Sequence, residues 1–212
     1  LLSRRQRQMC IRDSTTTEWT MEMNINKDKL GTRVGEMNNQ AIYSTGPDEV
    51  YVRFGDAPIE GNRLQIKTQG TQMNSQMLFN ANTWYHIAYV CTGAKLYLYV
   101  NGQLDNSMDL PGKETRVSSV SISSNSTYNK GNSYYSEVRL WKKARSQKEI
   151  QNNMYSCDPT TPGFIFYYKF NEGQGFKFKD WSGNGNDATT KDNLVPTWIQ
   201  DVRIAVSYTH LR

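Results

Sequence analysis

The sequence predicts an all-β fold, an antiparallel β-sandwich with one short surface helix. Apolar residues alternate with polar ones over short runs, and this period of two is typical of a half-buried strand. Residues 18–25 show it most clearly, with Trp19, Met21, Met23 and Ile25 on one face. Turn residues separate such runs at intervals of about 8–12 residues, which favours a sandwich over βαβ units.

The same pattern predicts further strands along the chain. Residues 84–91 are apolar on both faces, as expected of a central strand. The remaining predicted strands cover residues 49–55, 63–68, 95–100, 117–124, 136–141 and 164–170.

Two local motifs add a hairpin and a helix. Asn101-Gly102 follows the strand at residues 95–100, and this dipeptide is a strong indicator of a two-residue hairpin turn. Ser146 stands three residues before Glu149, the spacing of a capping box at a helix N-terminus. The sequence therefore predicts a short surface helix after residue 146.

The two termini are related through their codons. Residues 206–210, Val-Ser-Tyr-Thr-His, can be encoded by GTC TCT TAT ACA CAT. The reverse complement of that DNA encodes Met-Cys-Ile-Arg-Asp, the sequence of residues 9–13, and resembles a transposon mosaic-end sequencing adapter. We therefore expect residues 1–14 and 206–212 to be adapter-encoded and disordered, and residues 15–205 to form one domain.

Excluding the termini changes the charge and the metal-binding inventory. The chain has a net charge of +5, of which residues 1–14 contribute +3 and Arg212 contributes +1. The remaining body, at +1, has no Lys/Arg cluster, so a nucleic-acid partner is not expected. His86 is its one histidine, which argues against zinc, and no run of 18 apolar residues predicts a membrane span. Cys91 and Cys157 remain, and Cys91 is expected to be a buried thiol.

Four stretches resemble laminin G-like domains of the concanavalin A-like lectin/glucanase superfamily, in the versions found in bacterial surface proteins. They are NTWYHIAYVCTGAKLYLYVNGQL, YSEVRLWKKARSQKEIQNNM, FYYKFNEGQGFKFKDWSGNGNDA and YVRFGDAPIEGNRLQI. The resemblance implies a jelly-roll sandwich. Members usually have a strand before the one at residues 18–25, so an N-terminal edge strand is expected to be missing. Residues 164–190 either close this domain or begin another.

This superfamily includes lectins, adhesion modules and glycosidases, so the fold alone does not give the function. Glycosidases of the laminarinase type carry Glu-x-Asp-x-x-Glu on one strand, and the chain has no such string. Glu18 and Glu22 share a strand face but lie about 13 Å apart, too far for paired catalysis. His86 lies mid-strand and is expected to be a packed core histidine. The chain is therefore predicted not to be an enzyme.

Sugar binding needs aromatic faces for C–H groups and polar side chains for hydroxyls. The predicted sugar-binding residues are Arg53, Asp56, Asn125, Tyr128, Tyr134 and Trp181. A glycine-rich loop could bind calcium through oxygen ligands, and its predicted ligands are Asp180, Asn184 and Asp187. The alternative for this loop is a turn whose side chains bond their own backbone. Glu137 is either a ligand for metal or sugar or a strand acid bonded to a nearby loop.

We therefore predict a non-catalytic carbohydrate-binding module of a larger secreted or cell-surface bacterial protein. Its expected partner is a glycan, with calcium as the candidate cofactor, and it is expected to be a monomer. Two alternatives remain open. One is a protein-binding adhesion or spacer module, and the other is an accessory domain of a glycoside hydrolase whose catalytic domain lies elsewhere.

Overall fold

The computed structural model describes residues 9–31, 39–45, 50–56, 59–112, 115–122, 133–190 and 195–199. Within these ranges the chain forms two six-stranded antiparallel sheets, one small two-stranded sheet and one helix. The predicted all-β sandwich with a single short helix is confirmed. No helix in the described ranges is long and apolar enough to cross a membrane.

The elements follow one another along the chain with short connections. They are β1 (Met9–Thr16), β2 (Glu18–Lys27), β3 (Asn39–Thr45), β4 (Val50–Asp56), β5 (Ile59–Thr68), β6 (Thr71–Asn74), β7 (Trp84–Thr92), β8 (Lys95–Val100), β9 (Gln103–Asp109), β10 (Thr115–Ile122), β11 (Ser133–Trp141), α1 (Gln147–Asn153), β12 (Phe164–Tyr168), β13 (Lys177–Phe178) and β14 (Ala188–Thr189). Sheet 1 has the order β1-β10-β3-β4-β5-β6, and sheet 2 has the order β12-β11-β2-β7-β8-β9.

The core lies between the two sheets and follows from the alternation in the sequence. Sheet 1 contributes residues such as Val52 and Phe54 of β4, and sheet 2 contributes Met21 of β2 and Leu98 of β8. Phe79, in the connection between β6 and β7, meets the ring of Phe54 edge-on at 5.4 Å between centroids. Burying these side chains is the main force that holds the layers together.

The outer face of β2 is buried as well, which the sequence did not predict. Thr20, Glu22 and Asn24 have at most 1% of their surface exposed. The cause is the segment around α1, which lies over this face of sheet 2. The Asn24 side-chain amide donates to the Met154 carbonyl at 3.1 Å, and the hydroxyl of Thr20 donates to the Lys143 carbonyl at 2.8 Å. β2 is therefore buried on both faces over residues 19–25 rather than half-buried.

The predicted hairpin and helix are both confirmed. Asn101 and Gly102 have φ values of +49° and +74°, as a primed turn between β8 and β9 requires. Ser146 caps α1, and the Glu149 side chain completes the capping box. The turn and the helix are in contact, because the side-chain amides of Gln147 and Gln151 both donate to the Gly102 carbonyl at 2.9 Å.

Strand β1 corrects the expectation for the N-terminus. Residues 9–14 lie in this strand, which pairs with β10 at the edge of sheet 1, with Met9 opposite Val120 and Thr16 opposite Thr115. The expectation of disorder is therefore wrong for these residues, and an N-terminal edge strand is present. Edge pairing uses main-chain groups and does not require an apolar pattern. Residues 1–8 and 206–212 lie outside the described residues, and the adapter origin of both ends stays a prediction.

The C-terminal part of the sandwich is built on β12. This strand pairs with β11 as the edge of sheet 2, and Phe166 and Tyr168 point into the core. Residues 164–168 therefore close this domain. Cys157 packs nearby on the outer face of sheet 2, while Cys91 lies in the inter-sheet core, and both are free, buried thiols.

Candidate functional site

The outer face of sheet 1 carries a row of polar side chains joined by hydrogen bonds. Arg53, Gln65 and Asn74 lie opposite one another on β4, β5 and β6. The Arg53 Nε donates to Gln65 Oε1 at 2.9 Å, and Gln65 Nε2 donates to Asn74 Oδ1 at 3.1 Å. We call these three residues the amide row.

The strand pattern explains why these residues face outward. Val52 and Leu64 point into the core, so their neighbours Arg53 and Gln65 point to the opposite face. Although it is on the outer face, Gln65 has only 1% of its surface exposed. Both ends of its amide are bonded, so its orientation is fixed, as burial of a polar group requires.

A second row runs beside the amide row on the same face. Tyr51 lies opposite Lys67, and Lys67 lies opposite Gln72. Tyr51 is half-buried, while Lys67 and Gln72 are exposed. The guanidinium carbon of Arg53 lies 6.0 Å from the centroid of the Tyr51 ring, so the two rows meet there. The face thus combines an aromatic ring, cations and oriented amides, the groups that bind saccharides.

The structure brings few of the predicted sugar-binding residues together. Arg53 lies in the amide row, and Asp56 ends β4 with its backbone opposite Ile59. Tyr134 belongs to β11 in sheet 2, where its backbone lies opposite that of Asn26. Asn125 and Tyr128, together with the side chain of Asp56, lie outside the described residues, so their roles stay predictions.

Trp181 lies on the opposite side of the molecule from Arg53. It packs on the outer face of sheet 2 against a cluster of Trp141, Cys157, Phe164 and Tyr167. Arg53 therefore lies on a different sheet from Tyr134 and Trp181, and the three do not form a single binding surface.

The predicted calcium loop is organised by hydrogen bonds around Asp180. This side chain is buried, and its Oδ1 accepts from the Tyr167 N–H at 3.0 Å and from the Ser182 N–H and hydroxyl at 3.0 and 2.7 Å. Its Oδ2 accepts from the Asn186 N–H at 3.0 Å. Asp187 in turn accepts from the backbone N–H of Asp180 at 2.8 Å. The carboxylate of Asp180 is therefore already satisfied.

The amides of this loop are used in the same way. The side-chain nitrogen of Asn184 donates to the carbonyls of Phe164 and Ile165, and that of Asn186 donates to Ile165. These contacts tie the loop to β12 and do not fit a calcium site centred on Asp180. Over the described part of the chain, no group of three or more His, Cys, Asp or Glu side chains could hold a metal ion.

A buried charge network lies beneath α1 and was not predicted from the sequence. Glu22 Oε1 lies 2.5 Å from Arg145 Nη1, and Glu22 Oε2 lies 3.7 Å from Arg139 Nη2 and 3.4 Å from His86 Nε2. Burial alone would raise the pKa of Glu22, but the nearby imidazole of His86 and the two guanidiniums lower it to about 2. The carboxylate therefore stays ionised inside the protein.

This network is sealed from solvent, so it cannot reach a substrate. Glu22 and Arg139 have no exposed surface, and His86 has 2%. Burial also lowers the pKa of His86, which favours the neutral imidazole. The expectation that His86 is a packed core residue agrees with this position. Glu137 likewise has a structural contact, because its Oε2 accepts from the hydroxyl of Tyr167.

The two facing antiparallel sheets define a jelly-roll sandwich, and the comparisons with known proteins specify its family. The laminin G family model described as "Concanavalin A-like lectin/glucanases superfamily" matches residues 9–151. The chain belongs to this family. No curated protein sequence matches the chain.

Several solved structures share the fold. A proposed carbohydrate-binding protein from Bacteroides ovatus is 24% identical with a TM-score of 0.72, over 86% of this chain and 54% of that one. A heptameric SAP-like pentraxin from Limulus polyphemus is 14% identical with a TM-score of 0.53, over 85% and 83%. The binding domain of Botulinum Neurotoxin DC, in complex with SialylT, is 13% identical with a TM-score of 0.50, over 76% and 41%. The chain thus spans about half the length of the first of these proteins, and at these identities the likeness shows the fold alone.

Proposed function

We propose that this chain is a non-catalytic glycan-binding module whose ligand lies on the outer face of sheet 1. The observation that carries the proposal is that Gln65 is buried and hydrogen-bonded through both the oxygen and the nitrogen of its side-chain amide. It holds Arg53 on one side and Asn74 on the other, and Tyr51 lies alongside. A polar side chain fixed in this way beside an exposed face orients its neighbours before any ligand arrives.

The proposed mechanism is reversible binding of the glycan with no chemical step. The ring of Tyr51 offers a surface for sugar C–H groups, the exposed Lys67 offers donors to hydroxyl or carboxyl oxygens, and Arg53 adds positive charge beside them. The strands beneath are anchored in the core, so little side-chain or backbone entropy is lost on binding. The buried position of Glu22 supports a non-catalytic role, because it leaves the exposed Glu18 without an accessible partner on β2.

The proposed setting is a larger secreted or cell-surface bacterial protein with a glycan partner. The names of the Bacteroides ovatus protein and of the neurotoxin binding domain support this setting. The alternative of a protein-binding adhesion or spacer module predicts no glycan binding that depends on the amide row. The alternative of an accessory domain for a glycosidase is distinguished by the sequence of the parent protein.

The test is a glycan array with the whole chain, with and without a chelator, followed by calorimetry on any glycan that binds. Tyr51→Ala and Arg53→Gln should each weaken binding about tenfold or more, the equivalent of roughly 1.4 kcal/mol. Tyr155→Ala is the matched control, because Tyr155 is 59% exposed and lies after α1 at the other sheet. Thermal melts check that the variants remain folded.

Two results would overturn the proposal. One is a folded chain that binds no glycan on the array. The other is a bound glycan whose affinity is unchanged in both Tyr51→Ala and Arg53→Gln. Loss of glycan binding in the presence of a chelator would instead indicate calcium as a cofactor, and the proposed location of the sugar would not change.

A further inference from the structure

Two lysine side chains converge on the tryptophan at the outer face of sheet 2. The Nζ of Lys169 lies 4.4 Å from the centroid of the Trp181 ring, and that of Lys179 lies 4.3 Å from it. The geometry points to a second binding site here, specific for the carboxylate or sulfate group of an acidic saccharide. This site lies on the other sheet from the proposed glycan-binding face and does not depend on it.

The ring is held firmly in place. The backbone N–H of Trp181 donates to the Tyr167 carbonyl at 2.8 Å, and the ring packs against the outer cluster of sheet 2. The neighbouring Asp180 is locked by its own hydrogen bonds, as described above. Lys169 is also near a second ring, with its Nζ 5.5 Å from the centroid of Tyr167. The cations therefore lie on a rigid aromatic support.

Neither ammonium of this site has a direct carboxylate partner: within the described residues, none lies within ion-pair or hydrogen-bonding distance. Two nearby acids make hydrogen bonds of their own. Asp158 accepts from the N–H and hydroxyl of Thr160, and Glu172 accepts from the backbone N–H of Lys179. The bonds from Thr160 and, to a smaller extent, the charge of Lys169 lower the pKa of Asp158. Two unpaired ammoniums that share one ring thus remain available to an anion.

The charge selects the class of ligand. Both ammoniums lie within 4.4 Å of one ring centroid, so they are at most about 9 Å apart, roughly one Debye length, and a bound anion relieves their mutual repulsion. A neutral sugar would have to displace a lysine from the indole to stack on it. An acidic saccharide can bind with both lysines in place, and its sugar ring then lies beside the half-buried indole.

The experiment measures binding of defined saccharides to the whole chain by calorimetry at about 0.15 M salt, where weak long-range attraction is screened. The probes are a sulfated heparin octasaccharide, an oligogalacturonate and neutral maltohexaose. The test variant is Lys169→Gln with Lys179→Gln. The control is Lys29→Gln with Lys148→Gln, which removes the same charge from two exposed lysines elsewhere. A third variant, Lys169→Arg with Lys179→Arg, keeps the charge.

We expect at least one acidic probe to bind and the test variant to bind it roughly tenfold or more weakly. The control should bind within about twofold of wild type, the arginine variant should retain binding, and maltohexaose should not respond to the lysine changes. Equal losses in test and control variants would show non-specific attraction and overturn the site. Absence of binding by both acidic probes would also overturn it. Glycan binding that is lost in Arg53→Gln but kept in the lysine variant would separate the two faces.

Discussion

Replacing Glu22 with glutamine removes a buried negative charge from between two guanidinium groups and an imidazole. The partners are Arg145 at 2.5 Å, Arg139 at 3.7 Å and His86 at 3.4 Å. The variant leaves two buried cations without their counter-charge, which is among the most destabilising changes that a single substitution can make.

The size of the effect follows from the pKa of Glu22, which the folded protein lowers from 4.5 to about 2. One pKa unit corresponds to 1.36 kcal/mol, so ionised Glu22 contributes about 3 kcal/mol at pH 7. Because the folded pKa is the lower one, this contribution is complete above about pH 4.5 and is lost as the pH falls through about 2. Near pH 3 less than half of this contribution remains.

The assay is urea unfolding of wild type and Glu22→Gln at pH 7 and pH 3, followed by tryptophan fluorescence. Glu18→Gln is the matched control, since Glu18 is an exposed acid on the same strand, and it should stay within about 0.5 kcal/mol of wild type. The wild-type advantage over Glu22→Gln should shrink from about 3 kcal/mol at pH 7 to less than half of that at pH 3. A Glu22→Gln protein as stable as the control, or an advantage independent of pH, would refute the reasoning.

Three further substitutions test the packing. Leu98→Ala empties a fully buried position between the sheets and should lower the free energy of unfolding by about 2–5 kcal/mol in urea titrations, and a loss below about 1 would contradict the core assignment. Ser146→Ala removes the helix cap and should cost about 1 kcal/mol by the same measurement, whereas an unchanged midpoint would show that α1 does not need its capping box. Gly102→Ala puts a Cβ 2.7 Å from Gln151 Cγ at a φ of +74°, so it should be more destabilising than Gly70→Ala, where φ is +76° and nothing lies within 4 Å; equal melting temperatures for the two variants would argue against contact between turn and helix.

Much of the fold could be predicted because its determinants are local. The alternation in β2, β4 and β8 identifies the core-facing residues, and Asn101-Gly102 identifies the hairpin between β8 and β9. Strand β1 was not predicted because most of its residues were assigned to the adapter. Strands β3 and β6 were not predicted because their side chains show no clear alternation, and neighbouring strands order them through backbone hydrogen bonds.

The sites were harder to predict because their partners are distant in sequence. Arg53 was among the predicted sugar-binding residues, but its bond to Gln65 depends on the register between strands. Glu22 and Arg145 are separated by 123 positions and meet only because α1 folds over sheet 2. The alternation of β2 placed Glu22 on the face opposite the core, and the apolar side of the capping-box helix was the available hint that this face would be covered.

The amide row is also hydrogen-bonded to sheet 2. The carbonyl of Asn74, its last member, accepts from the side-chain amide of Asn106 on β9 at 2.8 Å, and the adjacent Asp105 accepts from the backbone N–H groups of Gln76 and Met77. Hydrogen bonds thus connect Arg53, through Gln65 and Asn74, to Asn106 in the other sheet. The NMR signal of an isotope label on β9 should consequently change when a saccharide binds to sheet 1, although the saccharide does not touch the label.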